Sequence, residues 1–278
     1  MARAAEVFRA AGTGSPRTDA ELLAAHVLGV SRGRLWTTDD FDARQLEDYR
    51  ELVDRRAAGA PVQHLTGSAG FRYLDLAVGP GVFVPRPETE LVVETGLAML
   101  TGADAPVVVD LCAGSGAIGL SVAHERPDAT VYLVETDPAA LRYLTRNAAA
   151  RQAAGDPVAR VVAADATAVA ALPDLAGGVD LVLTNPPYVP SGTPLPFDVA
   201  GTDPDLALFA GPDGLAVIRL LIGQVAGLLR SGGGLVVEHD DTHETAVPDL
   251  IGADGRFTEV TGHRDLAGRP RYASARRR

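Results

Sequence analysis

One short motif, Asn185-Pro-Pro-Tyr188, combines residue types that can orient a planar NH₂ group. The apolar residues 180–184 before it predict a strand, and Pro186 and Pro187 end that strand because proline has no N–H to give a sheet. Asn185 and Tyr188 then lie at the carboxyl end of a strand, where open α/β sheets bind ligands. The Asn185 side-chain oxygen and the Pro186 carbonyl can both accept hydrogens from one NH₂ group, and the Tyr188 ring offers a stacking face. The alternative is a tight turn that only ends the strand.

A second candidate segment is the proline-rich loop Gly79-Pro-Gly-Val-Phe-Val-Pro-Arg-Pro-Glu-Thr-Glu90. Its three prolines and two glycines restrict the backbone, so the loop holds Phe83, Arg86, Glu88 and Thr89 close together in a rigid frame. A helix is predicted over 88–100. We expect Arg86 and Glu88 to contact the substrate. The alternative is a plain linker between domains.

Between residues 106 and 238 apolar strand patterns alternate with helical ones, which predicts a parallel, doubly wound sheet. A final strand pair is predicted over 257–262 and 270–274. The predicted strands in the alternating part span 106–111, 130–135, 160–165, 180–184 and 234–238, and the predicted helices span 117–125, 138–151 and 214–229.

A glycine-rich turn, Cys112-Ala-Gly-Ser-Gly116, follows the first of these strands and lets the backbone pass close to a ligand. Glu135 ends the next strand, where a carboxylate can bind ribose hydroxyls, and Asp165 ends the third, within reach of an adenine amino group. A dinucleotide remains an alternative because Gly114-Ser-Gly116-Ala-Ile-Gly119 fits the Gly-x-Gly-x-x-Gly pattern. Acidic side chains and the Asn-Pro-Pro-Tyr motif favour S-adenosylmethionine, whose sulfonium is a cation. The residues expected to hold this cofactor are Asp110, Cys112, Ala113, Gly114, Ser115, Gly116, Glu135, Asp165, Ala166 and Asn185.

The amino-terminal quarter shows helix-period patterns over 3–11, 19–29 and 42–58, which predict a small helical bundle. His26 lies in an apolar stripe, so we expect it to pack in the core of this bundle. Two short runs within 71–78 could pair as a hairpin that leads into the α/β part.

Composition limits the kinds of partner. The chain has 278 residues, a formal net charge of −11 and a single cysteine, Cys112. An acidic chain is not expected to bind nucleic acid stably, and a single cysteine cannot form an internal disulfide. Without a signal peptide or a long apolar run, we expect no membrane association and a cytoplasmic location. We also expect a monomer.

His239 and His243 are four residues apart, but no third ligand has a convincing spacing, so no metal site is predicted. Arg276-Arg-Arg278 is interpreted as a solvated tail.

Four motifs occur in the order and at the spacing of one family. Gln63-His-Leu-Thr-Gly67, the loop 79–90, Asp110-Leu-Cys-Ala-Gly-Ser-Gly116 and Asn185-Pro-Pro-Tyr188 resemble the HemK/PrmC family of peptide chain release factor N5-glutamine methyltransferases. The resemblance runs from about Ala20 to the carboxyl terminus. The chain departs from the family at residues 199–204 within the loop 189–211, and mildly at Glu135, where Asp is commoner.

The resemblance implies a class I S-adenosylmethionine-dependent methyltransferase fold, a Rossmann-like doubly wound sheet, with a small amino-terminal helical bundle and a β-hairpin linker. The implied domains are a substrate-docking domain over 1–66, a hairpin and linker over 67–87 and a methyltransferase domain over 88–278. The implied substrate is the glutamine of the Gly-Gly-Gln loop of release factors, and the implied coproduct is S-adenosylhomocysteine. Catalytic roles fall on Asn185, Pro186 and Tyr188, and substrate contacts on these residues together with Pro187, Arg86 and Glu88.

Three other functions remain open at this point. A ribosomal protein glutamine N5-methyltransferase and a DNA adenine N6-methyltransferase would use the same NH₂ chemistry. A binding module without catalysis is the third, and intact cofactor and Asn-Pro-Pro-Tyr motifs count against it.

Overall fold

The computed structural model describes residues 1–168, 172–195 and 202–278. The strands within these ranges are β1 Ser68–Phe71, β2 Leu74–Ala77, β3 Val107–Leu111, β4 Thr130–Glu135, β5 Arg160–Ala163, β6 Val179–Thr184, β7 Leu229–Glu238, β8 Phe257–Arg264 and β9 Pro270–Arg277. The α-helices are α1 Ala2–Ala10, α2 Pro16–Leu28, α3 Ala43–Ala57, α4 Val62–Thr66, α5 Glu90–Met99, α6 Ala117–Glu125, α7 Pro138–Ala153, α8 Asp205–Leu208, α9 Ala216–Leu228 and α10 Ala246–Ala253. Short 3₁₀ helices span Arg32–Thr37, Pro87–Thr89, Pro173–Leu175 and Asp241–His243.

The described residues form a central sheet with the strand order β5-β4-β3-β6-β7-β9-β8. The first five strands in this order are parallel, and β9 pairs antiparallel with both β7 and β8. The predicted doubly wound sheet and the final strand pair are therefore confirmed. From β3 the chain continues to β4 on one side, and β6 later pairs on the other side. The turns after β3 and β6 thus meet at the point where the strand order reverses, which is where such sheets bind ligands.

Burial on both faces explains why the central strands read as continuous apolar runs. In β3 and β6 the side chains of Val108, Val109, Leu181 and Val182 are all fully buried. Helices α5 and α6 contribute to a core cluster with Val108 and Leu181 on one face, and α9 and α10 contribute to a cluster with Val109 and Val182 on the other. A parallel sheet covered on both faces needs this pattern.

The amino-terminal helices pack around their own core, which includes Phe8 and Leu23. Asp19 on α2 and Arg56 on α3 form a buried ion pair at 2.8 Å. Gly29 ends α2 in the left-handed conformation. His26 is exposed, so the prediction that it packs in the core is wrong. Fewer positions of α2 face the core than the apolar pattern in the sequence suggested.

A two-stranded hairpin, β1–β2, follows the helices, and its first strand starts at Ser68, earlier than the predicted run. Asn147 on α7 exchanges two hydrogen bonds with the backbone of Ala77, which fixes the hairpin against the α/β part. The His64 ring on α4 contacts the carbonyl of Val82 at 3.1 Å. The short helix α4, which the patterns missed, thus connects the helical region to the proline-rich loop.

The carboxyl-terminal arginines belong to the sheet. Arg276 and Arg277 lie in β9, and the Arg277 guanidinium donates to the carbonyl of Ala226. The interpretation of residues 276–278 as a solvated tail is therefore wrong, because the strand predicted over 270–274 continues to Arg277.

Candidate active site

A pocket of about 380 Å³ opens at the carboxyl edge of the sheet, between the turns that follow β3 and β6. Most of the residues predicted for the site line it. They are Arg86, Cys112, Ala113, Gly114, Ser115, Glu135, Asp165, Ala166, Asn185, Pro187 and Tyr188. Four predicted residues, Asp110, Gly116, Pro186 and Glu88, are not part of the lining.

The glycine-rich turn forms one wall of this pocket. Cys112, Gly114 and Gly116 have φ values of 61°, 57° and 89°, so the turn is built from left-handed residues. The backbone at Gly114 faces open space, where an added Cβ would meet nothing within 4 Å. Burial raises the pKa of the Cys112 thiol to about 12, so this cysteine is not a thiolate nucleophile at neutral pH.

Asp110 lies beneath the turn instead of in the pocket. Its side chain is fully buried and accepts a hydrogen bond of 2.8 Å from the backbone N–H of Gly119, at the start of α6. Burial is the main cause that raises the pKa of Asp110 to about 8, and the nearby charge of Glu135 adds to it. Asp110 therefore holds the turn against α6 and carries a proton over much of the neutral range.

Glu135 connects the turn to the end of β4. One carboxylate oxygen accepts from the N–H of Gly114 at 2.8 Å, and the other accepts from the N–H groups of Thr136 and Asp137. Three backbone donors fix this carboxylate at the pocket wall, at the end of β4. Asp165 lies at the next turn, where its Oδ1 atom binds the N–H and hydroxyl of Thr167. Its Oδ2 atom has no hydrogen bond to the protein among the described residues.

Asn185 and Tyr188 are each held by another side chain: Asn185 by Thr89, which also lines the pocket, and Tyr188 by Glu238, which does not. The Asn185 side-chain NH₂ donates to the Thr89 hydroxyl at 3.2 Å. The Tyr188 hydroxyl donates to the Glu238 carboxylate at 3.1 Å. Burial raises the pKa of Glu238 to about 7. Sequence patterns did not assign Thr89 or Glu238 to the site. Signals were available for both: Thr89 lies in the proline-rich loop, and Glu238 lies at the carboxyl end of a predicted strand.

The backbone of the motif passes close to a glycine. Gly214 has a φ of 73°, and a Cβ there would overlap the Tyr188 carbonyl. A side chain at this position would push the Asn-Pro-Pro-Tyr segment away from its place beside the turn.

The proline-rich loop contacts the segment that follows Tyr188. Arg86 forms an ion pair of 2.8 Å with Asp203, whose side chain is fully buried, and lies over the Phe83 ring. The Glu88 carboxylate forms an ion pair of 3.3 Å with the Arg269 guanidinium and lies away from the pocket. Within the loop 189–211, Val189 bridges to Phe209. Residues 196–201, including half of the predicted departure from the family at 199–204, lie outside the described residues.

His239 and His243 are both buried. Ring nitrogens of these residues contact the carbonyls of Asp240 and Asp213 respectively. Within the described ranges, no group of three or more His, Cys, Asp or Glu side chains could hold a metal ion. None of the described helices has the length and hydropathy needed to cross a membrane.

Family models and curated relatives both match this chain. Residues 1–67 match the family model of the PrmC N-terminal domain, and residues 80–194 match that of the methyltransferase small domain. The release factor glutamine methyltransferase of Mycolicibacterium smegmatis is 52% identical over 99% of this chain and 95% of its own length. That of Streptomyces coelicolor is 46% identical over 100% of this chain and 96% of its own length.

A solved structure shows the same fold. A 16S rRNA methyltransferase from T. Thermophilus, in complex with AdoMet and guanosine, has a TM-score of 0.52 and 24% identity, covering 76% of this chain and 50% of its own. The sheet, its flanking helices and the family matches establish the class I methyltransferase fold predicted from the sequence. With relatives this similar over the whole chain, the protein is an enzyme that belongs to the family of release factor glutamine methyltransferases.

Proposed function

We propose that this protein transfers a methyl group from S-adenosylmethionine to the side-chain amide nitrogen of the glutamine in the Gly-Gly-Gln loop of peptide chain release factors. The observation that carries the proposal is the placement of Asn185 in the same pocket as the glycine-rich turn, with its NH₂ group bound by Thr89. The amide oxygen is then the part of the Asn185 side chain left to accept a substrate N–H.

The pocket fits S-adenosylmethionine on its own chemistry. The open backbone at Gly114 admits the amino acid part of the cofactor, and Glu135 would hold the ribose hydroxyls. The free oxygen of Asp165 would bind the adenine amino group, with Ala166 beside the ring. Bound there, the cofactor supplies an activated methyl group on a positively charged sulfur.

The amide nitrogen of glutamine is a poor nucleophile because its lone pair is delocalised into the carbonyl. Asn185 Oδ1 and the Pro186 carbonyl would accept both N–H hydrogens and so direct the nitrogen at the methyl group. Orientation of this kind can lower a barrier by about 7–11 kcal/mol. Tyr188, whose hydroxyl is anchored on Glu238, would hold the amide plane.

The transfer moves the methyl group from sulfur to nitrogen, and the nitrogen then loses one proton. Positive charge develops on the amide as the bond forms, and the two oxygen acceptors stabilise it. The proton goes to water. The other product is S-adenosylhomocysteine.

We propose that residues 1–66 form the substrate-docking domain, that 67–87 form the hairpin and linker, and that 88–278 form the catalytic domain. Trp36, which is 68% exposed on the 3₁₀ helix Arg32–Thr37, supports a docking role because exposed Trp side chains are frequent at protein interfaces. We expect the enzyme to act as a cytoplasmic monomer.

The test is transfer of a radioactive methyl group to three substrates side by side: a release factor, ribosomal proteins and DNA. The proposal predicts label in the release factor alone, and the Asn185→Ala variant serves as the matched control. Label in ribosomal proteins or in adenine would leave the NH₂ chemistry in place and overturn the partner. The net charge of −11 favours a protein substrate over DNA.

A further inference from the structure

Asn185 can serve as an acceptor only if its side-chain amide faces the right way. An Asn side chain has an oxygen that accepts and an NH₂ group that donates, and a rotation by half a turn exchanges them. If the NH₂ group faced the substrate, two donors would meet and the target amide would be repelled. The orientation of the Asn185 amide therefore has to be fixed by another group of the protein.

Thr89 is the group that binds the Asn185 NH₂, with a donor–acceptor distance of 3.2 Å. Its side chain is buried, being 3% exposed, so water does not compete freely for the hydroxyl. A hydroxyl has one hydrogen and can also donate. If that hydrogen points elsewhere, the Thr89 oxygen can act toward Asn185 only as an acceptor.

Glu238 supplies the acceptor for that hydrogen. Its carboxylate is 2% exposed, and Oε1 accepts from the Tyr188 hydroxyl. Oε2 is fully buried and has no hydrogen bond of good geometry among the described residues. The Thr89 hydroxyl lies close enough to this carboxyl to lower its pKa. A buried carboxylate oxygen without a donor is costly, so the Thr89 hydrogen is drawn to it.

We propose that Thr89 and Glu238 are positioning residues, and that the chain of hydrogen bonds from Asn185 through Thr89 to the Glu238 carboxylate fixes the Asn185 oxygen toward the target amide. This inference rests on the proposed function. It adds two residues to the machinery: Thr89 of the proline-rich loop, which lines the pocket, and Glu238 at the end of β7, which does not. Both act on the target amide through Asn185.

The direction of the chain depends on the charge of Glu238. When the carboxyl takes up a proton it can donate to Thr89, whose own hydrogen is then free to turn to Asn185 and reverse the amide. The groups that face this carboxyl are the Tyr188 and Thr89 hydroxyls, the Arg271 guanidinium, which favours the charged form, and Glu88, which disfavours it. Because burial places the pKa near 7, activity should fall as the pH drops through this region.

The experiment compares Thr89→Val, which keeps the shape and removes the hydroxyl, with Thr89→Ser, which keeps the hydroxyl. Misplacement of a catalytic group can cost up to about 100-fold, so Thr89→Val should lower kcat with a release factor by about 10- to 100-fold. KM and the affinity for S-adenosylmethionine should stay within about twofold. Thr89→Ser should restore most of the turnover. Thr101→Val, which removes a hydroxyl bound to Ala98 near the other end of α5, is the matched control.

The pH profile separates positioning from a merely structural role. The wild-type kcat should decline on the acid side with a midpoint near pH 7, and Glu238→Gln should lose this decline because Gln does not ionise. If wild-type enzyme methylates a release factor and Thr89→Val matches it in kcat and pH profile, the inference is overturned and the proposed function stands. Equal loss in Thr89→Val and Thr89→Ser would also overturn it. If wild-type enzyme methylates no release factor, the proposed function fails and the inference with it.

Discussion

Replacement of Asp110 by Asn distinguishes two roles for the acid at the end of β3. The sequence favoured a carboxylate near the sulfonium cation, whereas the structure places the side chain beneath the turn, bound to the Gly119 N–H at 2.8 Å. With its pKa raised to about 8, the group carries a proton through most of the neutral range. Asn has the same shape and retains an oxygen for Gly119. We therefore expect Asp110→Asn to fold and to bind S-adenosylmethionine within about threefold of wild type at pH 7.

The competing role predicts a much larger effect. A unit charge 4–6 Å from the sulfonium, at an effective dielectric constant of about 20, contributes roughly 3–4 kcal/mol. Loss of that attraction would weaken binding by about 10²- to 10³-fold. The two accounts thus differ by at least a factor of about 30, well beyond experimental error.

The assay is titration calorimetry with S-adenosylmethionine and, in parallel, with S-adenosylhomocysteine, whose sulfur is neutral. Wild type and Asp110→Asn should show the same ratio of the two affinities. Glu135→Gln is the comparison variant in the pocket wall, and it should weaken both ligands because both carry the ribose. A loss of 100-fold or more for S-adenosylmethionine in Asp110→Asn, with S-adenosylhomocysteine unaffected, would refute the assignment of Asp110 as a support for the turn.

Three further predictions concern other parts of the molecule. Asn185→Ala should reduce kcat by at least about 100-fold and leave the calorimetric affinity for S-adenosylmethionine nearly unchanged, since the lost interaction is with the target amide; normal turnover would make the motif structural. Glu238 has a pKa of about 7 in the folded protein against 4.5 as its ordinary value. This raised pKa contributes about 3 kcal/mol to the free energy of unfolding below about pH 4.5. The contribution is lost as the pH rises through 7. Urea unfolding should be measured at pH 4.5 and pH 8 for wild type and Glu238→Gln. Between these two values, the free energy of unfolding of Glu238→Gln minus that of wild type should rise by about 3 kcal/mol, and the same difference at both pH values would contradict this. Trp36→Ala should raise KM for a release factor several-fold at constant kcat in steady-state assays, and an unaltered KM would remove Trp36 from the docking surface.

The parts of the molecule that the sequence predicted well depend on local rules. Prolines 186 and 187 end β6 wherever the rest of the chain goes, and the glycines after β3 force a turn, so both motifs could be placed at the carboxyl edge. Alternation of strands and helices then brought the two turns together at the switch point of the sheet. The fold class and most of the pocket wall follow from these features.

The parts that were missed depend on contacts between distant segments. Thr89 and Glu238 are far apart in sequence, and only packing of the proline-rich loop against the end of β7 brings both close to Asn185. The burial of Asp110 depends on the fit of α6 over the turn, which no spacing reveals. His26 was misplaced because a helix with apolar residues on several faces gives a weak periodic pattern. Arg276 was misplaced because the predicted final strand ended at 274, before the arginines.

The most direct measurement is tandem mass spectrometry of a purified release factor after incubation with the wild-type enzyme and S-adenosylmethionine. The account predicts one added methyl group, located by fragmentation on the side-chain nitrogen of the Gly-Gly-Gln glutamine, and none after incubation with Asn185→Ala. A methyl group on any other residue of the release factor, or an unmodified glutamine after incubation with enzyme that binds the cofactor, would contradict it.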